Sequence, residues 1–139
     1  MIHIEAIDHV VLRVSDPEET IRFYRDVLGC PVERTLPPEI GLIQLRAGNA
    51  LIDLVPIDGA IGRSGGAAPG SEGRNMDHFC VRLKTFDEAQ VRAHLASFGI
   101  SAPPAEIRYG AEGNGPSIYI RDPSGNTVEL KGPRGEDSP

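Results

Sequence analysis

The sequence predicts an α+β fold made of two βαβββ modules, and three repeated features point to it. The segment Asp8-His9-Val10-Val11-Leu12-Arg13-Val14 returns as Asp77-His78-Phe79-Cys80-Val81-Arg82-Leu83. Leu28-Gly29 returns as Phe98-Gly99. Gly48-Asn49 precedes a strand-like run that carries Asp53, and Gly125-Asn126 precedes one that carries Glu129. Internal similarity on this scale signals a duplicated structural unit.

The elements follow in order. Residues 7–14 alternate, with Val10, Leu12 and Val14 on one side and His9, Val11 and Arg13 on the other, as in a half-buried strand. A helix follows. Asp16 is a suitable N-cap, Pro17 suits the first helical position, and Glu19 completes a capping-box-like start. Ile21, Tyr24 and Leu28 recur at helical spacing, and Gly29 is placed to close the helix in a left-handed conformation. Short strands are expected near 32–35, 42–46 and 50–55. The second half repeats the plan: Thr85 and Glu88 form a T-x-x-E capping signature, Val91, Leu95 and Phe98 a buried stripe, and Gly99 the stop. Strands are expected near 105–107, 117–121 and 127–130.

This places a first module at 1–58, a connection at 59–75, a second module at 76–132 and a frayed polar tail at 133–139. The connection is dominated by Gly, Ala and Ser without apolar periodicity and reads as flexible. Its glycines lack the spacing of a phosphate-binding loop. Halves of roughly 65 residues are marginal alone, so the two are expected to share one core as a single structural domain.

Composition narrows the partners. A net charge of −6 argues against a nucleic-acid binder, which needs a basic face. There is no run of about 18 apolar residues for a membrane span, and the start Met1-Ile2-His3-Ile4-Glu5 lacks the features of a secretion signal. A cytoplasmic protein acting on small molecules is expected. Cys30 and Cys80 are too few for a disulfide framework or thiolate zinc site and read as reduced packing residues. His94, on a helix flank, and His3, near the terminus, read as solvated.

The chemistry follows from strand parity. His9, Asp53, His78 and Glu129 all point away from the helix-facing rows and can meet on the concave face of one curved mixed sheet. Two imidazoles and two carboxylates without thiolate suit a hard to borderline divalent ion: Ni, Co, Zn, Mn or Fe. One ion per site is expected, with positions left open for water or substrate. The same parity turns Arg13, Arg82, Gln44, Arg46, Tyr119 and Arg121 toward the concavity, where an arginine can meet an anionic substrate group and the Tyr119 phenol can hydrogen-bond an oxyanion.

The segments Asp8–Val14, Phe23-Tyr24-Arg25-Asp26-Val27-Leu28-Gly29, Asp77-His78-Phe79 and Arg121-Asp122-Pro123-Ser124-Gly125-Asn126-Thr127-Val128-Glu129-Leu130 resemble the vicinal oxygen chelate superfamily. That superfamily includes lactoylglutathione lyase (glyoxalase I), methylmalonyl-CoA epimerase, extradiol dioxygenases, fosfomycin-modifying transferases and bleomycin-resistance proteins. The resemblance covers roughly residues 5–132. It implies paired βαβββ modules around a central cavity, a metal held there by His9, Asp53, His78 and Glu129, and commonly a homodimer. Asp53 replaces the usual Glu and is one methylene shorter. Without it, His9, His78 and Glu129 form a two-histidine, one-carboxylate triad of the kind dioxygenases use. The His9-to-Arg13 pattern resembles the glyoxalase I strand whose Arg contacts glutathione, while the Asn expected past the acid is replaced near Ile57.

Three functions are compatible with this pattern. The first is a glyoxalase-type lyase or isomerase in which Glu129, or alternatively Asp53, abstracts a proton from a substrate with vicinal oxygens and yields an enediolate. The second is an iron-dependent extradiol dioxygenase. The third is a binding or resistance protein that sequesters a small molecule without chemistry.

Overall fold

A computed structural model of the chain describes residues 1–135. Alternation at 9–14 becomes strand β1 (His9–Val14), with Leu12 and Val14 fully buried on one side and Val11 exposed on the other. Helix α1 (Pro17–Arg22) has the predicted cap, the Asp16 carboxylate accepting from the Glu19 amide at 3.3 Å with Pro17 in the first turn, but the Glu19 side chain accepts from Arg22 instead of completing a capping box. The helix does not continue as α to Leu28. Over Phe23–Val27 it widens into a π-helical turn that places the consecutive Phe23 and Tyr24 both in the core, their rings edge to face at 5.0 Å. Gly29 then closes it with φ of +73°, a conformation that glycine adopts without a Cβ penalty.

Strands β2 (Val32–Thr35), β3 (Ile43–Ala47) and β4 (Ala50–Pro56) complete the first sheet, in the order β1-β4-β3-β2. β1 pairs parallel with β4, and the other pairings are antiparallel. The second module repeats this: β5 (Phe79–Arg82), β6 (Glu106–Gly110), β7 (Gly113–Arg121) and β8 (Thr127–Lys131) form a sheet in the order β5-β8-β7-β6, with β5 parallel to β8. The paired βαβββ modules are thus present as two four-stranded mixed sheets of equivalent topology. The chain divides into compact units at Asn75/Met76.

The segment 59–75 contains more structure than its composition predicts. Helix α2 (Ala60–Arg63) lies within it, and the Arg13 guanidinium donates to the carbonyls of Gly62, Gly65, Gly66 and Ala67 at 2.7–3.2 Å. Asn75 Nδ2 in turn donates to the Arg13 carbonyl at 2.8 Å. One long side chain from β1 therefore organises a run of glycines that has no packing side chains of its own.

Helix α3 (Glu88–Ser97) departs from expectation in its cap and its stripe. Asp87, not Thr85, is the N-cap, its carboxylate accepting from the Gln90 amide at 3.1 Å, while Glu88 accepts instead from the Ala105 amide at 2.6 Å. Leu95 is buried, Val91 only partly, and Phe98 is 48% exposed, with its ring against His94 at 5.3 Å. Gly99 ends the helix with φ of +77° as predicted. Cys30 is buried, but Cys80, on the edge strand β5, is exposed. Both cysteines are free thiols. The tail residues Glu136–Pro139 lie outside the described residues. No helix among the described residues is long and apolar enough to cross a membrane.

Candidate metal centre

Each sheet delivers one histidine and one carboxylate to the same face. In the first, His9 opens β1 and Asp53 sits mid-strand on β4, only 4% exposed, with His9 Nε2 4.0 Å from Asp53 Oδ2. In the second, His78 immediately precedes β5 and Glu129 lies on the central strand β8, 6% exposed, with His78 Nε2 3.3 Å from Glu129 Oε2. Glu129 is aimed by a tight turn before β8. The buried Asp122 carboxylate accepts from the Ser124 and Asn126 amides at 2.9 and 2.8 Å, and Gly125 supplies the positive φ.

The residue preceding each histidine is the second half of the device. Asp8 Oδ1 lies 2.6 Å from His9 Nδ1, and Asp77 Oδ2 lies 2.6 Å from His78 Nδ1. A carboxylate only accepts, so Nδ1 carries the proton and Nε2 is directed to the inner carboxylate. Orientation of a metal-ligating imidazole by an outer acid is a recurrent arrangement. Both imidazoles are raised above their ordinary value, mainly by hydrogen bonding to Asp8 or Asp77, with burial opposing and the inner carboxylate adding to the rise.

The matching strand on each sheet supplies a third member. Gln44 on β3, the register partner of Asp53, donates Nε2 to both carboxylate oxygens at 3.1 Å, and Arg34 donates to Gln44 Oε1 at 2.6 Å. Tyr119 on β7, the register partner of Glu129, packs edge-on to His78 at 5.5 Å and interacts with both Glu129 and Arg108. The two modules thus carry the same chain of contacts: Arg34–Gln44–Asp53–His9–Asp8 and Arg108–Tyr119–Glu129–His78–Asp77. Burial pushes Glu129 up. Polar contacts from Ser117, Cys80 and Tyr119 and the His78 charge outweigh it, so the carboxyl lies below its usual range. Burial first, then Glu129, raises the Tyr119 phenol, which stays protonated at neutral pH. Although Cys80 is exposed as a residue, partial burial of its thiol beside Glu129 pushes that group up to about 11.

The donor set fits a divalent ion. Two ligand atoms each about 2.1 Å from an ion stand about 3 Å apart at a right angle and about 4.2 Å apart when opposite. The 3.3 and 4.0 Å separations lie inside that interval. Among the described residues no group of three or more His, Cys, Asp or Glu side chains is gathered for a metal, so the structure provides two two-residue half-sites.

The remaining candidates are differently employed. Arg13 is committed to the loop carbonyls described above, Arg82 pairs with Glu112 at 2.9 Å, and Arg46 pairs with Glu33 at 2.9 Å. Arg121 ends β7, exposed. Sequence reasoning did not identify Arg34 or Arg108, because Arg34 meets Gln44 through cross-strand register and Arg108 reaches Tyr119 from a position opposite Gly115, and spacing shows neither. It noted that Asp8 and Asp77 recur but gave them no role, although their position directly before each histidine was the available signal.

The family model described as the Glyoxalase/Bleomycin resistance protein/Dioxygenase superfamily matches residues 6–130. A virulence protein of Salmonella typhimurium, STM3117, is 32% identical over 91% of this chain and 83% of its own length. The mitochondrial methylmalonyl-CoA epimerase of Homo sapiens is 28% identical over 90% of this chain and 72% of its own. The crystal structure of a lactoylglutathione lyase from Agrobacterium tumefaciens superposes with a TM-score of 0.66 at 25% identity, covering 93% of this chain and 94% of that one. With its duplicated His–carboxylate half-sites and a match spanning both modules, the chain belongs to the glyoxalase/bleomycin resistance protein/dioxygenase superfamily.

Proposed function

We propose that this protein is a metal-dependent lyase or isomerase of the glyoxalase type. In this reading His9, Asp53, His78 and Glu129 hold one divalent ion and Glu129 removes a proton from carbon beside a carbonyl. The observation that carries the reading is the pair of half-sites, each with Nδ1 tied to an outer aspartate and Nε2 turned to a buried carboxylate. A bound Ni, Co, Zn, Mn or Fe ion would supply Lewis acidity to two adjacent substrate oxygens. Glu129 is ionised at neutral pH, as an acceptor of a substrate proton must be. Tyr119, protonated and beside Glu129, donates a hydrogen bond to the oxyanion of the resulting enediolate. Asp53 has both oxygens engaged by Gln44, which favours Glu129 as the base and Asp53 as ligand. Proton transfer next to a carbonyl is also the step common to an epimerase and a lyase, the activities that two of the relatives are named for. The working unit is taken to be a homodimer, as is common in the superfamily.

Solvent deuterium wash-in tests this directly. Metal-loaded protein is incubated in D₂O with methylmalonyl-CoA and, separately, with the hemithioacetal of methylglyoxal and glutathione. Exchange at the acidic carbon of one substrate is expected, falling at least about 1,000-fold in Glu129→Gln. Exchange undiminished in that variant removes Glu129 from the role.

One observation favours a second reading. Gln44 holds Asp53 and its nearer oxygen is 4.0 Å from His9 Nε2, so His9, His78 and Glu129 could serve as the triad of an iron-dependent dioxygenase. Oxygen consumption with a catechol, dependent on Fe(II), would establish that alternative.

A further inference from the structure

Two residues beyond Glu129 on the same face of β8 stands Lys131, only 6% exposed. Its ammonium donates to the carbonyls of Arg108 and Gly115, the latter at 3.2 Å, leaving one of three N–H donors. No carboxylate lies within ion-pair distance of it among the described residues. A buried cation without an acid is costly unless something anionic completes it. Directly across the ladder is its register partner Ser117, 1% exposed, whose hydroxyl has no hydrogen bond of normal geometry and only a polar contact with Glu129. A buried hydroxyl left unsatisfied calls for an explanation. The lysine side chain passes close to two glycines, since a Cβ on Gly110 would fall 2.7 Å from Lys131 Cε and one on Gly115 3.3 Å from Nζ, so a side chain at either position would crowd the ammonium.

We infer that Lys131 and Ser117 form an anion subsite that takes the carboxylate or phosphate end of the substrate. The remaining Lys131 N–H and the Ser117 O–H are the donors. The inference deepens the reading above and rests on it for the neighbouring reaction centre: residues two apart on a strand are about 7 Å apart, so the anionic end sits one pleat repeat from Glu129. Arg82, the other register partner of Lys131, adds positive charge on the same face, partly offset by its pairing with Glu112. The substrate class is therefore a small acid that carries vicinal oxygens at one end and a further anionic group at the other.

The test uses inorganic phosphate as the probe and metal-stripped full-length protein, so that it does not depend on the ion. Phosphate is titrated by calorimetry into wild type, Lys131→Met, Ser117→Ala and His78→Ala. Saturable binding by wild type is expected, weakened at least about 10-fold by Lys131→Met and by Ser117→Ala and unchanged in His78→Ala. No saturable binding in wild type, or equal binding in Ser117→Ala and a folded Lys131→Met, overturns the proposal. If Lys131→Met does not fold, as judged by circular dichroism, the near-isosteric Ser117→Ala decides alone. Divalent-ion binding, measured on the same proteins, is lost in His78→Ala if the metal reading holds, so the two failures are told apart.

Discussion

At the scale of single residues, each candidate half-site is built on a pair of sequence neighbours, Asp8-His9 and Asp77-His78. Asp8 and Asp77 are exposed, yet each fixes which nitrogen of the following histidine faces inward. Because hydrogen bonding to Asp77 is the largest contribution to the raised His78 value, replacing it by Asn must lower that value. Proton NMR of the imidazole in metal-free Asp77→Asn is expected to show a midpoint below that of wild type, and an unchanged midpoint would remove Asp77 from the device. The same substitution is expected to weaken divalent-ion binding about 10–100-fold, as loss of outer-shell partners does. The ligand candidates themselves were legible in the sequence because β-strand alternation assigns each side chain to a face. Lys131, Ser117, Arg34 and Arg108 were not, since their significance lies in burial and cross-strand register, and a sequence displays neither.

At the scale of elements, local chemistry predicted starts and stops well and interiors less well. Asp16, Gly29 and Gly99 act as predicted because a cap or a left-handed turn depends on a few adjacent residues. The start of α3 was misplaced by two residues, because Thr85 and Asp87 are both competent caps and the downstream contact of Glu88 with the Ala105 amide decides between them. Asp87→Ala is expected to cost about 1 kcal/mol in urea unfolding and Thr85→Ala well under half of that. The reverse order would restore the T-x-x-E assignment. The π-helical widening at Phe23–Val27 has no signature in spacing alone. It carries two consecutive aromatics, Phe23 and Tyr24, that are both buried.

At the scale of the whole molecule, duplication makes a prediction about stoichiometry. If the half-sites His9–Asp53 and His78–Glu129 serve one ion, elemental analysis yields one metal per chain, and His9→Ala or His78→Ala alone abolishes tight binding. If each half-site binds separately, two metals are found and each variant retains one, and the shared centre is wrong. By itself the sequence determined the modular repeat, the strand order, the Asp16 cap, the Gly29 and Gly99 stops and the shared strand face of the His and acid of each half. These follow from periodicity, which is local and obeyed residue by residue. Tertiary structure alone decided that Arg13 would bind loop carbonyls rather than remain available to a ligand, that Gln44 would hold Asp53 while Tyr119 contacts Glu129, and that a lysine would be buried beside a serine with no hydrogen bond of normal geometry. Each depends on which distant backbone groups a long side chain finds within reach, a matter of register and packing rather than of neighbouring residues.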